Sequence, residues 1–209
     1  MDLQSISPWF ETGIGIVAFF YGMYHAIMWL WKRHKKNKAK RSEEQFSVLN
    51  MRIWEILSEV RMRVKASRVT LTQFHNGGKF SDGASMRKMS ITHQSCDTKI
   101  SSTMSFRQDV LVSRFVEIVE ILKENLAHIR DVSLMKESNT KKFMELNDTL
   151  AFSILPVYCL DSMLVYGYIT IEWCDSKDID HVEEEIAINY LKEARDQVSF
   201  LLGSTKEYR

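Results

Sequence analysis

The hydrophobic and polar positions of this chain fall into regions of different periodicity, and the first region is apolar on every face. Residues 12–31, TGIGIVAFFYGMYHAIMWLW, contain no Asp, Glu, Lys or Arg. Twenty helical residues rise about 30 Å, which matches the hydrocarbon core of a bilayer. Trp9 lies at one end of the stretch and Trp29 and Trp31 lie at the other, where indole rings favour the membrane interface. The pattern predicts a transmembrane helix over residues 12–31.

A dense basic segment, residues 32–42, follows the apolar stretch. It carries seven positive charges, on Lys32, Arg33, Lys35, Lys36, Lys38, Lys40 and Arg41, whereas residues 1–11 contain no Lys or Arg. Positive charges beside a membrane helix stay on the cytoplasmic side. We therefore expect a single-pass protein of the plasma (inner) membrane, with residues 1–11 outside and the C-terminal domain in the cytoplasm. The basic segment also suits contact with anionic lipid headgroups of the bilayer.

Residues 43–67 place apolar side chains at steps of three and four, which predicts a helix that links the basic segment to the rest of the chain. The repeat runs through Phe46, Leu49, Ile53, Ile56 and Val60. Two interpretations are open. The seam pairs with a second copy as a short coiled coil, which predicts a homodimer, or it packs on its own domain.

Residues 68–209 mix strand and helix patterns. Alternating apolar and polar residues predict strands, and spacings of three and four predict helices. In chain order we predict strands at 69–75 and 86–94, a helix at 109–126, a short strand at 127–133, a small helix at 141–146, strands at 150–160 and 163–174, and a helix at 178–202. Asp178 or Asp180 is placed to cap the last helix. The order predicts an α+β domain, an antiparallel sheet with flanking helices.

Composition changes this picture in two respects. The chain has 28 basic and 27 acidic residues, but without the seven charges of the basic segment the remainder carries a formal charge of −6 instead of +1. This argues against a nucleic-acid-binding surface on the domain. The three cysteines, Cys96, Cys159 and Cys174, form no C-x-x-C pair, so we expect reduced thiols in a reducing compartment.

Two stretches of the domain carry a family resemblance. SILPVYCLDSMLVYGYITIEW, residues 153–173, resembles the central hairpin of a GAF domain, and RVTLTQFHNGG, residues 68–78, is similar to the family's opening strand. The residues at the matching places are Ser153, Pro156, Gly167, Ile169 and Ile171. A PAS-like or profilin-like sheet domain is the competing interpretation. The GAF resemblance implies a ligand cleft between the sheet and its connecting helices, and in this sequence the candidate lining residues are Phe74, His75, Asn76, Ser90, Thr92 and Phe106.

Other chemistry finds less support in the sequence. His75, His93, Cys96 and Asp97 include one H-x-x-C pair, but a structural zinc site usually offers two close pairs, so we predict no metal site. A second alternative is a thiol enzyme, because one GAF subfamily uses cysteines around its pocket. The spacing of Cys96, Cys159 and Cys174 does not match that subfamily. We predict no catalytic residue and no cofactor, because hydrolase motifs and the phosphate loop G-x-x-x-x-G-K-[ST] are absent. The family's Asn-Lys-x-Asp cyclic-nucleotide motif and bilin-attaching Cys-His pair are absent as well.

These features predict a membrane-anchored, dimeric GAF-like sensor or scaffold that is not an enzyme. With no kinase, cyclase or DNA-binding output in the sequence, we expect it to signal through a partner protein, with or without a small-molecule ligand. The small size suits a compact genome such as that of a bacteriophage. The alternative is a phage-encoded membrane effector, a holin or lysis regulator, whose soluble domain controls timing.

Overall fold

The computed structural model describes residues 7–79, 85–159 and 164–204, and within these ranges the side chains of residues 7–19, 26, 37–42, 78–79, 85–86 and 204 lie outside the description. The chain divides into two compact units, Met1–Val48 and Leu49–Arg209. One long helix, α1 (Ser7–Arg63), contributes residues to both units. Each unit is described by itself.

The first unit is the N-terminal part of α1. Arg33 lies over the ring of Trp29, with 5.2 Å between the guanidinium carbon and the ring centroid, and Lys35 Nζ lies 5.4 Å from the centroid of Trp31. A search of the described residues finds no helical segment that combines the length and the apolar character needed to cross a membrane. The side chains of residues 12–19, which begin the predicted transmembrane helix, lie outside the description.

The second unit is built on a six-stranded sheet, as the α+β prediction required. The strand order is β3-β2-β1-β6-β5-β4, and the strands pair antiparallel. The elements are β1 (Arg68–Lys79), β2 (Ser85–Cys96), β3 (Val110–Leu111), α2 (Val116–Glu124), β4 (Arg130–Asp131), α3 (Asn139–Glu145), β5 (Ala151–Tyr158), β6 (Val165–Trp173), α4 (Ser176–Ile179) and α5 (Glu184–Ser204).

Several boundaries differ from the sequence prediction, and two of these differences concern helices. The helix predicted from Asp109 begins only at Val116, because Val110 and Leu111 pair with β2 as an edge strand and a short 3-10 turn follows. The predicted C-terminal helix is divided into α4 and α5. The long helix α5 begins at Glu184, so neither Asp178, which lies inside α4, nor Asp180 caps it as predicted. Asp175 caps α4, since its side chain accepts a hydrogen bond from the backbone N–H of Lys177 at 3.0 Å.

One face of the sheet is covered by the C-terminal part of α1 and by α5. Ile53, Ile56 and Val60 of α1 are at most 5% exposed and belong to a core cluster that also contains Leu191 of α5 and Trp173 of β6. The apolar seam of residues 43–67 therefore packs on its own domain over this length. Because burying a Leu or Ile side chain contributes about 1.5–3 kcal/mol, the seam is a large share of the stability of this face.

The opposite face is covered by α2 and α3. A second core cluster joins Ile118 and Leu122 of α2 to Met144 of α3, and both helices to Phe152 and Ile154 of β5. Strands β5 and β6 are buried on both faces. This explains why their sequences are nearly continuous apolar runs instead of clean alternations.

Gly167 allows β6 to approach β1 closely. A Cβ atom at this position would lie 2.0 Å from the carbonyl oxygen of Thr72 and 2.8 Å from the Cα of Gln73. Both are backbone atoms of the paired strand, so a side chain here requires the strands to separate.

We expect Gly167→Ala to lower the free energy of unfolding by roughly 1–3 kcal/mol, the usual cost of overpacking a core. Chemical denaturation followed by circular dichroism measures the change. The matched control is Gly77→Ala in β1, where the three atoms nearest to the added Cβ belong to the flexible side chain of Lys88, with Cγ at 2.6 Å, and not to the backbone. Equal losses in the two variants would contradict the close-approach argument.

Candidate functional site

The six side chains predicted to line a ligand cleft do not form one group. Phe74 packs beside Tyr168, with ring centroids 5.9 Å apart, and contacts the core cluster beneath α2 and α3. His75 is the next residue of the strand, so its side chain points to the other face. Asn76 and Phe106 are exposed, and Phe106 is 77% exposed. A ligand-binding role for these residues stays a prediction.

The structure brings His75 and Ser90 together. His75 Nε2 lies 2.9 Å from Ser90 Oγ and 3.9 Å from a carboxylate oxygen of Asp109. Ser90 Oγ also accepts a hydrogen bond from the backbone N–H of Asp109 at 2.8 Å. The contacts tie the ends of β1 and β2 to the start of β3.

Thr92 belongs to a different group, against α1. Its Oγ1 lies 3.0 Å from His93 Nδ1, and His93 Nε2 lies 3.0 Å from Asn50 Oδ1. Burial lowers the pKa of His93. His75 and His93 therefore have separate partners, and among the described residues no cluster of three or more His, Cys, Asp or Glu side chains is placed to hold a metal ion.

A buried ion cluster lies on the sheet face beneath α2 and α3. Glu172 of β6 is fully buried, and Arg68 of β1 and Arg107 are 2% and 7% exposed. Arg68 Nε donates to Glu172 Oε2 at 3.0 Å, and Arg107 Nη1 donates to Glu172 Oε1 at 2.6 Å. Thr149 Oγ1 donates to Glu172 Oε2 at 3.0 Å. Both carboxylate oxygens are thus engaged by cationic donors.

The same cluster connects parts of the chain that are distant in sequence. Arg107 comes from the loop between β2 and β3, residues 97–109, which we call the lid loop. Arg68 Nη1 donates to the carbonyl of Ser101 in this loop at 3.2 Å, and Arg68 Nη2 donates to the carbonyl of Asn147 after α3. The guanidinium of Arg107 also lies 4.4 Å from the ring centroid of Phe143 in α3. The cluster therefore fixes the lid loop and the end of α3 on the sheet.

The electrostatics of the cluster favour an ionised Glu172. Burial opposes the charged form, but the adjacent guanidiniums of Arg107 and Arg68 and the hydrogen bonds from Arg107 and Thr149 hold the pKa of this carboxyl below its usual range. Nearby, burial raises the pKa of Tyr168 to about 12, so its phenol is neutral at physiological pH.

The cysteines do not resemble catalytic thiols. Burial raises the pKa of Cys96 and of Cys174, and Cys159 is fully buried at the end of β5. A thiol with a raised pKa is largely protonated near neutral pH and is a weak nucleophile. None of the three is in a disulfide.

Two surface grooves border the surroundings of the ion cluster, one at Thr149 and the other at Ser102 and Met104 of the lid loop. One, of about 680 Å³, runs along the β4–β5 edge and is lined by Asp131, Glu145, Asp148 and Cys174 among others. The other, of about 570 Å³, lies between α1 and β2 and includes Trp54 and Met62. Both are open depressions at edges of the fold.

The sequence matches no protein-family model and no curated protein. Solved structures do resemble the fold. The phycoerythrobilin-bound GAF domain of a cyanobacterial phytochrome aligns over 83% of this chain and 95% of its own, with a TM-score of 0.58 and 14% identity. A far-red cyanobacteriochrome photoreceptor aligns over 84% and 98%, with a TM-score of 0.57 and 12% identity. The blue-light-absorbing form of the Thermosynechococcus elongatus PixJ GAF domain aligns over 78% and 92%, with a TM-score of 0.53 and 10% identity.

These likenesses define the class of fold. The domain has a GAF-like fold, an antiparallel six-stranded sheet with helices on both faces, as the resemblance of the two strand segments implied. Identities of 10–14% establish the architecture and leave the chemistry of the site to this chain's own residues.

The ion cluster is the part of the site that sequence reasoning missed. Its signal was present in the strands. Glu172 lies between Ile171 and Trp173 in an apolar run, and Arg68 opens β1 directly before a buried valine. A charged residue inside a doubly buried strand requires a partner, because an isolated buried charge is strongly unfavourable. The sequence does not show which residue is the partner, since 104 residues separate Arg68 from Glu172.

We expect Glu172→Gln to lower the free energy of unfolding by roughly 3–5 kcal/mol at pH 7, because it leaves two buried guanidiniums without a counter-ion. Because the pKa of Glu172 is lower in the folded state than in the unfolded state, the ionised carboxylate stabilises the fold. This stabilisation is fully present above about pH 4.3, the pKa of an unfolded Glu, and is lost as the pH falls through the lower pKa of the folded state. The stability gap between wild type and variant should therefore shrink in acid.

Denaturant titrations at pH 7, 5 and 3 measure this gap. Glu59→Gln on α1 is the control, because the Glu59 side chain is 64% exposed and its ion pair with Arg63 spans 3.9 Å. Surface pairs of this kind contribute little. A Glu172→Gln protein as stable as wild type at pH 7 would contradict the role given to the cluster.

Proposed function

We propose that this protein is a membrane-anchored, dimeric sensor or scaffold built on a GAF-like domain, without enzymatic activity, that signals through a partner protein. The observation that carries the proposal is that the two faces of the sheet are packed by different kinds of side chains. The face beneath α2 and α3 contains a buried ion cluster among apolar side chains, and α1 and α5 pack together on the other face.

The proposed signalling mechanism depends on β6, whose alternate side chains enter the two opposite faces of the sheet. Glu172 and Trp173 are neighbours in β6, and their side chains enter opposite faces. Trp173 Nε1 donates to the carbonyl of Val64, just after the end of α1, at 3.3 Å. A ligand or partner that shifts the lid loop and Glu172 therefore acts through one strand on the packing of α1 against α5.

We propose that this domain holds no bilin, unlike neighbours whose structures contain one. The sheet face beneath α2 and α3 is filled by Arg68, Arg107, Phe152 and Tyr168, all less than 10% exposed. The sensor role proposed here involves no bilin.

The membrane anchor is supported by the sequence. Residues 12–31 carry no formal charge among Asp, Glu, Lys and Arg, and seven basic residues follow within residues 32–42. The positive-inside rule then gives a cytoplasmic domain.

The topology can be tested with a reporter. We expect alkaline phosphatase fused after Arg209 to be inactive and a fluorescent protein fused there to be bright in a bacterial host, because both report a cytoplasmic C-terminus. Fractionation should place the fusion in the membrane. Periplasmic phosphatase activity would overturn the orientation, and a fusion found only in the soluble fraction would overturn the anchor.

The dimer is supported by a second apolar seam on α1. Met51, Trp54 and Met62 are 57%, 53% and 64% exposed, and they lie roughly opposite the buried seam of Ile53, Ile56 and Val60 around the helix. They lie on one side of α1 and flank Ser58, which is 8% exposed and donates a hydrogen bond to Ser95 of β2 at 3.0 Å, so the exposed apolar contacts fall on either side of a position packed on the domain. We propose that two copies of α1 pair through this seam.

Cysteine crosslinking tests the pairing. We expect Met51→Cys in the full chain to form a disulfide-linked dimer on mild oxidation, seen by non-reducing gel electrophoresis, because symmetric seam positions face each other. Arg63→Cys is the matched control. It lies on the same helix about 120° away and is also exposed, with a side-chain exposure of 60%. No crosslink at position 51, or equal crosslinking at both positions, would contradict the seam.

A further inference from the structure

The groove along the β4–β5 edge combines open space with an apolar wall. Its volume is about 680 Å³, and the apolar side chains that line it are Ile129, Val132, Leu150, Ala151 and Ile179. Leu134 and Leu146 are both 84% exposed, and Leu150 is exposed as well. The first two directly follow the lining residues Ser133 and Glu145 in the chain. Exposed apolar side chains grouped around a groove mark an interaction surface.

The charged side chains that line this groove are all carboxylates: Asp131, Glu145 and Asp148. Basic side chains beside them pair with other acids. Arg130 Nη2 lies 3.4 Å from a carboxylate oxygen of Glu124. Lys141 Nζ lies 3.0 Å from a carboxylate oxygen of Glu137 and 4.0 Å from one of Glu145. The groove therefore carries a net negative charge.

Asp131 is ionised at neutral pH. The hydroxyl and the backbone N–H of Ser133 both donate to Asp131 Oδ1, at 2.7 and 2.8 Å, and these hydrogen bonds lower the pKa of the carboxyl. The side chain is also exposed, so its negative charge is accessible to a cation that enters the groove.

The turn that carries Asp148 is bonded to the buried ion cluster through both of its neighbours. The carbonyl of Asn147 accepts a hydrogen bond from Arg68 Nη2, and Thr149 Oγ1 donates to Glu172 at 3.0 Å. Asp148 has a left-handed backbone, with φ of 56°, and its side chain lines the groove. A group that binds Asp148 therefore contacts the segment that the ion cluster fixes on the sheet.

We infer that this groove is the docking surface for the partner protein, and that the docked segment carries Lys or Arg side chains between apolar ones. The cations pair with the three carboxylates, and the apolar side chains cover Leu150 and the exposed leucines beside the groove. An acidic segment is repelled, and a small polyamine leaves the leucines uncovered. The inference rests on the proposed function, which requires a partner, and it adds where that partner binds and which chemistry it presents.

The probe is a dye-labelled peptide of about six alternating lysine and leucine residues, which extends over roughly 20 Å. Fluorescence anisotropy measures its affinity for the full chain in neutral detergent, and a titration into empty micelles is subtracted. One comparison peptide has serine in place of leucine, another has glutamate in place of lysine, and spermine is an unlabelled competitor. We expect the lysine–leucine peptide to bind most tightly, with an affinity that falls as salt is added.

Variants of the carboxylates locate the binding surface. Asp131→Asn, Glu145→Gln and Asp148→Asn in one chain should weaken binding of the lysine–leucine peptide roughly tenfold, because three exposed ion pairs are lost. Asn tolerates the left-handed backbone at position 148, so this variant should fold. A matched control, which should bind as wild type does, removes the same charge from exposed positions of α5: Glu185→Gln, Glu193→Gln and Asp196→Asn.

A leucine variant tests the apolar half of the surface. Leu150→Ser should weaken binding roughly fivefold or more, because the leucines of the peptide lose an apolar contact. Leu164→Ser is the matched control. Leu164 is also exposed and lies at the other end of the β5–β6 pair, so its replacement should leave binding unchanged. Circular dichroism verifies that each variant is folded, and the carboxylate variants decide the outcome if Leu150→Ser is not.

The inference is overturned if the lysine–leucine peptide does not bind, or if the two triple variants bind it equally. It is also overturned if the serine peptide binds as tightly, or if spermine displaces the peptide at the peptide's own dissociation constant, since the groove would then be a site for cations alone. A failed topology or crosslinking experiment removes the anchor or the dimer and leaves this result standing. Failure of the peptide to bind leaves the anchor and the dimer untouched.

Discussion

The carboxylate of Glu172 is the constraint on which the rest of this domain depends. Burying an ion costs several kcal/mol even after relaxation, and the cost is offset only by well-placed partners. Arg68 from β1, Arg107 from the lid loop and Thr149 from the start of β5 supply them. One group thus holds the central strand pair, the lid loop and the turn after α3 in a single arrangement.

The two faces of the sheet are held by different forces. Beneath α1 and α5 the packing is apolar, with Leu57, Leu191 and Trp173 fully buried. Beneath α2 and α3 a charged centre is surrounded by apolar side chains such as Phe152 and Ile154. Apolar contacts tolerate small sliding, whereas a bidentate ion pair has one geometry. The charged face is therefore the one at which a ligand or partner changes the energy most for a small displacement.

The likeness to bilin-bound GAF domains and the chemistry of this chain lead to different conclusions about function. The fold is shared at 10–14% identity, and in this chain the sheet face beneath α2 and α3 contains two buried arginines and a buried glutamate. Fold alone does not imply function, because function resides in the side chains placed on it.

The sequence by itself determined the element types, the α+β class and the resemblance of residues 153–173 to a GAF hairpin, because alternation, helical spacing and turn residues are local signals. Only the tertiary structure decided that Ile53, Ile56 and Val60 pack on their own sheet and that β3 replaces the first turns of a helix. The ion cluster was decided there as well. A charged residue in an apolar strand indicates from the sequence that it needs a partner. The partners of Glu172, which are Arg107 and Arg68, lie 65 and 104 residues away, and their positions depend on strand register and on the path of the loop, which no local pattern encodes.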